Sequence, residues 1–148
     1  MLNQTLIKLF TRDLNKLKIE IQTYNDESTI WMTTENISNS AGNLALHLVG
    51  NLNHFIGATI GKTGYIRERD LEFSLKNIPR DTILEQIDDT IHVITKALKS
   101  LSSEDLQKEY KRRSFEDYMT TEYFLVHLTT HLSYHLGQIN YHRRLLDV

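Results

Sequence analysis

The 148-residue chain has no cysteine, one proline and only six glycines. Without cysteine it can form no disulfide, no thiolate metal ligand and no cysteine nucleophile. Because proline and glycine most often interrupt helices, their scarcity leaves room for long ones. Any metal would therefore have to be bound by histidine or carboxylate side chains, and any thiol chemistry would need a thiol brought by the substrate.

The chain also lacks a strong net charge and a long hydrophobic run. Its 17 Lys and Arg residues against 19 Asp and Glu residues give a formal net charge of −2 at pH 7, so nothing electrostatic indicates a nucleic-acid partner. We interpret the basic cluster Lys111, Arg112 and Arg113 as solvated. The N-terminal segment MLNQTLIKLF is too polar for a signal peptide or a membrane span. We therefore expect a cytoplasmic protein that forms a single domain over residues 1–148.

Apolar residues recur every three or four positions in four long segments, which is typical of amphipathic helices. The predicted helices cover residues 3–24, 40–62, 81–101 and 120–146. Asp81 is the expected N-cap of the third helix. The connection 63–79 is long and charged, and loops of that kind often cover a site. The connection 102–119 includes a short helical turn at 104–108. These patterns predict an all-α protein, a four-helix bundle.

The last helix carries four histidines, His127, His131, His135 and His142, in HLTTHLSYHLGQINYHRRLL. At about 100° and 1.5 Å per residue, His131 and His135 lie about 40° and 6 Å apart, so both rings can bind one cation through bonds of about 2.0–2.1 Å. His127 and His135 lie about 12 Å apart and cannot share an ion. Any chelating pair therefore contains His131, with either His127 or His135. On the helical wheel, His131 and His135 lie beside the apolar stripe and His127 is turned further out, so we choose His131 and His135.

A third ligand is expected from another helix, because catalytic zinc-type sites usually have three protein ligands. The second helix, HLVGNLNHFIGATIG, offers His47 and His54. His47 lies on the wheel beside both the apolar stripe and a strip formed by Gly50, Gly57 and Gly61, and is the preferred third ligand. His54 is the alternative. Since each helical glycine costs about 0.8–1 kcal/mol relative to alanine, the strip predicts close approach of another helix or space for a ligand.

The sequence also leaves alternatives to the metal site open. A histidine at the edge of a core can equally be a hydrogen-bonded packing residue. No glutamate follows His131, so the HExxH motif of metalloproteases is absent. Three imidazoles suit zinc, nickel, iron or copper. Asn51, Tyr134 and Gln138 are candidates to contact the ligands, each set against a purely structural role.

The segments HLVGNLNHFIGATIG and HLSYHLGQINYHRRLL resemble those of the DinB/YfiT-like proteins, particularly a small bacterial subgroup. The resemblance extends from the first helix to the closing HxxxHxGQ element, which is fairly specific, and the GNLNH segment of the second helix strengthens it. It implies a four-helix bundle, commonly homodimeric, with a divalent metal bound by His47, His131 and His135. A homodimer is therefore expected, and sedimentation analysis can test it.

The resemblance also implies a reaction. Better-understood branches of this superfamily suggest S-transfer from low-molecular-weight thiols such as bacillithiol or mycothiol, or a related isomerisation. We therefore expect a metal-dependent S-transferase whose partners are a small thiol and an electrophile. The same open site could instead activate water for hydrolysis. A further alternative is a non-enzymatic dimeric bundle with a structural metal, which chelation would unfold.

Overall fold

The computed structural model describes residues 1–112 and 117–148, and every regular element in these two ranges is helical. The α-helices are α1 (Leu2–Thr23), α2 (Ala41–Leu52), α3 (Arg69–Ser74), α4 (Arg80–Lys99), α5 (Ser103–Gln107) and α6 (Thr121–Leu146). A 3₁₀-helix (Glu27–Trp31) follows α1, and a π-helix (Asn53–Ala58) continues α2. The all-helical prediction is confirmed. Arg113, the last member of the basic cluster, lies outside the described residues.

Two of the long helices begin at residues whose side chains cap them. The Ser40 hydroxyl accepts a hydrogen bond from the Asn43 backbone N–H at the start of α2, and Thr120 caps α6 in the same way. The prediction that Asp81 caps α4 is wrong. The cap residue is Pro79, whose ring fixes φ at −53°, and Asp81 lies in the first turn, where a carboxylate stabilises the helix dipole.

The apolar stripes of the long helices meet in one core. Helix α1 packs against α4 and α6, and α2 packs against the same two helices. Leu14, Leu48, Ile87 and Leu125 are among the completely buried side chains. Because α2 is buried along its whole length, its polar residues face protein atoms rather than water. None of the helices in the described part of the chain is long and apolar enough to cross a membrane.

The second helix departs from prediction. The expected continuous helix 40–62 is wrong beyond Leu52, where the backbone widens into the π-helix. The glycines here pack against α4 of the same chain: a Cβ at Gly57 would lie 2.9 Å from Val93, and one at Gly61 3.2 Å from Ala97. The predicted close approach is thus intramolecular. It gives no support to a homodimer, which stays a prediction from the resemblance alone.

The connection 63–79 was expected to be a loop, but it contains the short helix α3, which packs on α2. The Asn43 side-chain amide donates hydrogen bonds to the carbonyl oxygens of Glu72 (2.9 Å) and Leu75 (2.8 Å). These bonds attach α3 to the first turn of α2. As a result, the Glu72 side chain is buried beside the middle of α2.

Candidate metal centre

Three imidazole rings meet between α2 and α6. The Nε2 atom of His131 lies 3.2 Å from Nε2 of His47 and 3.1 Å from Nε2 of His135. His47 comes from α2 and the other two from consecutive turns of α6. The three residues each offer a ring nitrogen within 4.8 Å of the other two. The structure therefore brings together the three side chains that the sequence analysis selected.

The spacing of the nitrogens suits a metal ion. For metal–nitrogen bonds of about 2.0–2.1 Å, two nitrogens 3.1–3.2 Å apart subtend about 100° at the ion. This angle lies between the octahedral and tetrahedral values. His131 could thus share an ion with either neighbour without moving.

Hydrogen bonds on the outer side of two rings set their tautomers. The Nδ1 atom of His47 lies 3.0 Å from Glu72 Oε1, and Nδ1 of His135 lies 2.6 Å from Gln138 Oε1. Since each oxygen accepts a hydrogen bond, we assign the ring proton to Nδ1 in both histidines. Their Nε2 atoms then carry lone pairs directed at His131. An outer partner that fixes the tautomer in this way is the usual arrangement around metal-binding histidines.

The third ring, His131, is left with unsatisfied hydrogen-bonding capacity. Its buried Nδ1 has no hydrogen-bond partner among the described residues, and its Nε2 faces two lone pairs although it could donate to only one. A buried unsatisfied polar group costs about 1–3 kcal/mol. Burial, followed by the neighbouring His135 and His47, lowers the pKa of His131 to about 4. The ring is therefore neutral near pH 7, the state that a metal ligand requires.

A buried ion pair supports His47 from behind. Glu72 is 6% exposed and accepts two hydrogen bonds of 2.9 Å, from Nε and Nη2 of Arg67. Burial raises the pKa of Glu72, but hydrogen bonds from His47 and Arg67 outweigh it, so that the pKa is lowered. A Cβ on Gly50 would lie 2.0 Å from Glu72 Oε2. Gly50 is thus the place where α2 admits this carboxylate.

Sequence analysis missed Glu72 and the role of Arg67. The only signal was the charged segment around Arg67 in a connection long enough to cover a site. Which of its charges would turn inward depends on how α3 docks onto α2, and the sequence pattern does not contain that information.

The remaining candidates lie apart from the three rings. His127 is exposed and stacks near Phe124, with 6.0 Å between ring centroids. His54 is half-buried and packs edge-on against Phe55. Neither belongs to the cluster found among the described residues. Neither alternative that the sequence left open therefore contributes a nitrogen to this cluster.

The three residues expected to contact the metal ligands, Asn51, Tyr134 and Gln138, differ in their contacts. Gln138 does contact His135, as described above. The Tyr134 hydroxyl accepts a long hydrogen bond of 3.4 Å from Gln138, and its ring lies against His135. Asn51 is buried, and its Oδ1 has no partner within the described ranges.

One side of the cluster is accessible. His47 is buried, but His131 and His135 are only half-buried, and the neighbouring Tyr134 and Gln138 are exposed. A small molecule could therefore reach the cluster from the α6 side. Catalytic zinc sites usually have three protein ligands and one open position, whereas structural sites are closed by four protein ligands.

The fold and site together define an all-helical protein with a three-histidine cluster at an interhelical edge. The chain belongs to the family described as "Protein of unknown function (DUF1572)", whose profile matches residues 4–147. The comparison with curated proteins found no match. Since the description of the family specifies no activity, the function has to be argued from the site.

Proposed function

We propose that the protein is a divalent-metal-dependent enzyme that transfers a low-molecular-weight thiol to an electrophile. His47, His131 and His135 would hold the ion. The observation that carries the proposal is the convergence of three Nε2 atoms, two of them with lone pairs directed inward by Glu72 and Gln138. A purely structural cluster would be expected to pair its buried nitrogens, and Nδ1 of His131 has no partner within the described ranges.

The arrangement of the four long helices is part of the proposal. We propose that α1, α2, α4 and α6 form a four-helix bundle of the DinB/YfiT-like type. The mutual packing of these helices and the HxxxHxGQ element of α6 support it. In such bundles, metal sites are built from side chains on facing helices, and here His47 on α2 lies against His131 and His135 on α6.

A divalent ion bound here would supply Lewis acidity and favour the thiolate form of a thiol substrate. The side chains around the ion would orient its ligands. Glu72 accepts a hydrogen bond from Nδ1–H of His47, which orients that ring and raises its basicity, and Gln138 does the same for His135. With no cysteine in the chain, the sulfur nucleophile comes from the substrate. The thiol loses its proton to solvent, sulfur forms a bond to the electrophile, and the leaving group departs with its bonding electrons.

Cobalt substitution tests the proposal directly. The cobalt protein should gain a thiolate-to-metal charge-transfer band when a small thiol such as 2-mercaptoethanol is added. The band should strengthen as pH rises, with a midpoint below the pKa of the free thiol. His47→Ala should abolish the band, whereas His127→Ala should keep it.

Two results would contradict S-transfer. If the cobalt protein binds metal but shows no thiol-dependent band with any of several small thiols, hydrolysis becomes the better proposal. If removal of the metal by a chelator unfolds the protein, the ion is structural.

A further inference from the structure

The three candidate ligands differ in how their outer nitrogens are satisfied. Glu72 lies 3.0 Å from Nδ1 of His47, and Gln138 lies 2.6 Å from Nδ1 of His135. Nδ1 of His131 is buried and has no hydrogen-bond partner among the described residues. When Nε2 of a neutral histidine binds an ion, the ring carries its proton on Nδ1. A metal bound by Nε2 of His131 therefore requires an acceptor for the Nδ1 proton of this ring.

Asn51 offers a buried acceptor without a partner. In the described part of the chain, four buried side-chain atoms lack a hydrogen-bond partner: Trp31 Nε1, Asn51 Oδ1, Arg80 Nε and His131 Nδ1. The indole and guanidinium nitrogens are donors only, so they cannot accept the proton of His131. The carboxamide oxygen of Asn51 is the one acceptor in this set. The two unsatisfied atoms are thus chemically complementary.

The packing of the second helical segment on α6 places Asn51 opposite the stretch that leads to His131. His47 contacts His131 with 5.1 Å between ring centroids, and Phe55 contacts Phe124 at the same distance. The later residue of the second segment meets the earlier residue of α6, so the two segments run antiparallel. Asn51 lies midway between His47 and Phe55, about one helical turn from each. It therefore faces α6 between Phe124 and His131.

This interface is closed and otherwise apolar. Asn51 is 6% exposed, and the buried residues of α6 between Phe124 and His131 are Leu125 and Leu128, which have no polar side-chain atom. Helical side chains lean toward the helix N-terminus, which directs the His131 ring toward the level of Asn51. A buried carboxamide needs a protein partner or a bound water. The buried unpaired atom that this stretch of α6 presents is Nδ1 of His131.

We propose that Asn51 is a positioning residue of the metal centre. Its Oδ1 accepts a hydrogen bond from Nδ1–H of His131, directly or through one bridging water, and fixes the tautomer in which Nε2 can bind a divalent ion. Each ligand then has an outer partner: Glu72, Gln138 or Asn51. The inference rests on the metal-binding part of the proposed function and is independent of thiol transfer.

Zinc affinity, measured by competition with a chelator, tests this role. Asn51→Leu has a side chain of similar size without a hydrogen-bonding atom, and it should weaken zinc binding about tenfold or more. Asn51→Asp keeps an acceptor at the same position, so it should bind zinc at least as tightly as the unaltered protein. The matched control is Asn53→Leu, because the Asn53 amide donates elsewhere, to the Val49 carbonyl oxygen at 2.8 Å and the Thr90 hydroxyl at 2.9 Å. Its zinc affinity should be unchanged.

A nuclear magnetic resonance measurement follows the tautomer itself. In zinc-loaded protein with ¹⁵N-labelled histidine rings, the Nδ1–H signal of His131 is assigned through the ring to its backbone. This signal should move upfield in Asn51→Leu, which removes the acceptor, and downfield in Asn51→Asp, where the acceptor becomes charged. The signals of His47 and His135 should stay in place. A purely structural role of Asn51 would lower stability without moving the His131 signal alone.

Weaker zinc binding by Asn51→Leu, together with a selective shift of the His131 signal, supports the proposal. It is overturned if Asn51→Leu binds zinc as tightly as Asn53→Leu, or if the His131 signal does not move. Where Asn51→Leu fails to fold, the Asn51→Asp spectrum decides, and an unmoved His131 signal overturns the proposal.

Failure of the proposed function gives different results. If zinc binding depends on Asn51 as expected but the cobalt protein shows no thiol band, S-transfer is rejected and the role of Asn51 is supported. If the unaltered protein binds no zinc, the metal centre and this inference are both overturned.

Discussion

Helix α6 carries two inward-facing histidines of different kinds, the buried His142 and the half-buried His131. His142 is 2% exposed, and both its ring nitrogens are satisfied: Nδ1 accepts from the Tyr24 hydroxyl at 2.7 Å, and Nε2 donates to the Met32 carbonyl oxygen at 2.9 Å. Burial raises the pKa of Tyr24, so the hydroxyl keeps the proton that it donates. His131 has an Nδ1 without a partner among the described residues and an Nε2 that faces two other rings.

The comparison shows that residue type and a position on the inner side of a helix do not distinguish a structural histidine from a candidate ligand. Both residues lie on the inner side of the same helix. What differs is whether protein groups complete the hydrogen bonding, as they do around His142, or leave nitrogens directed at a common point, as they do around His131.

Exchanging each histidine for alanine should separate the two roles most strongly. His131→Ala should abolish stoichiometric metal binding, because its Nε2 is the atom nearest to both other ligands. His142→Ala should retain the metal but lower the free energy of unfolding by about 2–3 kcal/mol, since it leaves a cavity and removes the partner of the buried Tyr24 hydroxyl. Metal analysis of protein purified without a histidine tag, together with urea unfolding, measures both effects.

The exposed His127 is the control for this pair, and His127→Ala should change neither metal content nor stability appreciably. The assignment of different roles to His131 and His142 is contradicted if folded His142→Ala protein loses the metal, or if His131→Ala retains one ion per chain.

The carboxylates near His47 and near His142 provide a second comparison, with a smaller expected effect. Glu72→Gln should weaken metal affinity about 10–100-fold, the usual cost of altering an outer partner of a ligating histidine. Glu20→Gln is the matched control. Glu20 also accepts a short hydrogen bond from an arginine, Arg143 at 2.7 Å, but it lies beside Tyr24 and not beside the three-histidine cluster. Competition with a chelator of known affinity gives both constants. Equal losses in the two variants would show that Glu72 acts through general stability rather than through His47.

The pH dependence of the metal-free protein should show the smallest effect. Burial lowers the pKa of His131 to about 4, whereas in the unfolded chain it is about 6.5. Between these values the unfolded chain binds a proton that the folded chain does not, so the free energy of unfolding should fall as pH falls from about 6.5 to about 4. Allowing for the partial exposure of the ring, we expect a loss of about 1–3 kcal/mol.

His131→Leu removes this contribution, while the groups outside the histidine cluster titrate as they do in the unaltered protein. The difference in unfolding free energy between the two metal-free proteins should change over this pH range and level off above about 6.5. A difference that is constant from pH 4 to 7 would contradict the lowered pKa.

Some features of the site could be read from the sequence because they depend on neighbouring turns of one helix. The pairing of His131 with His135 follows from spacing by four residues, and the choice against His127 follows from its angle to the apolar stripe. His47 could be predicted for the same reason, since its position beside the apolar stripe of α2 is a property of that helix alone.

Other features could not be read in this way. The expected helix 40–62 was wrong beyond Leu52, because the contacts of Gly57 and Gly61 with α4 are made by residues distant in sequence. The inward turn of Glu72 needs the two hydrogen bonds from Asn43 that dock α3. No periodicity in the segment 63–79 encodes them.

The sequence by itself determined the helical class, the absence of any thiol ligand and the histidines able to meet, because helical periodicity is a local property with a known angle per residue. Only the tertiary structure decided which groups complete the site. It brought Glu72 behind His47 and left Nδ1 of His131 without a direct partner among the described residues. Those outcomes depend on how irregular segments dock onto helices, and docking is set by contacts between residues far apart in the chain.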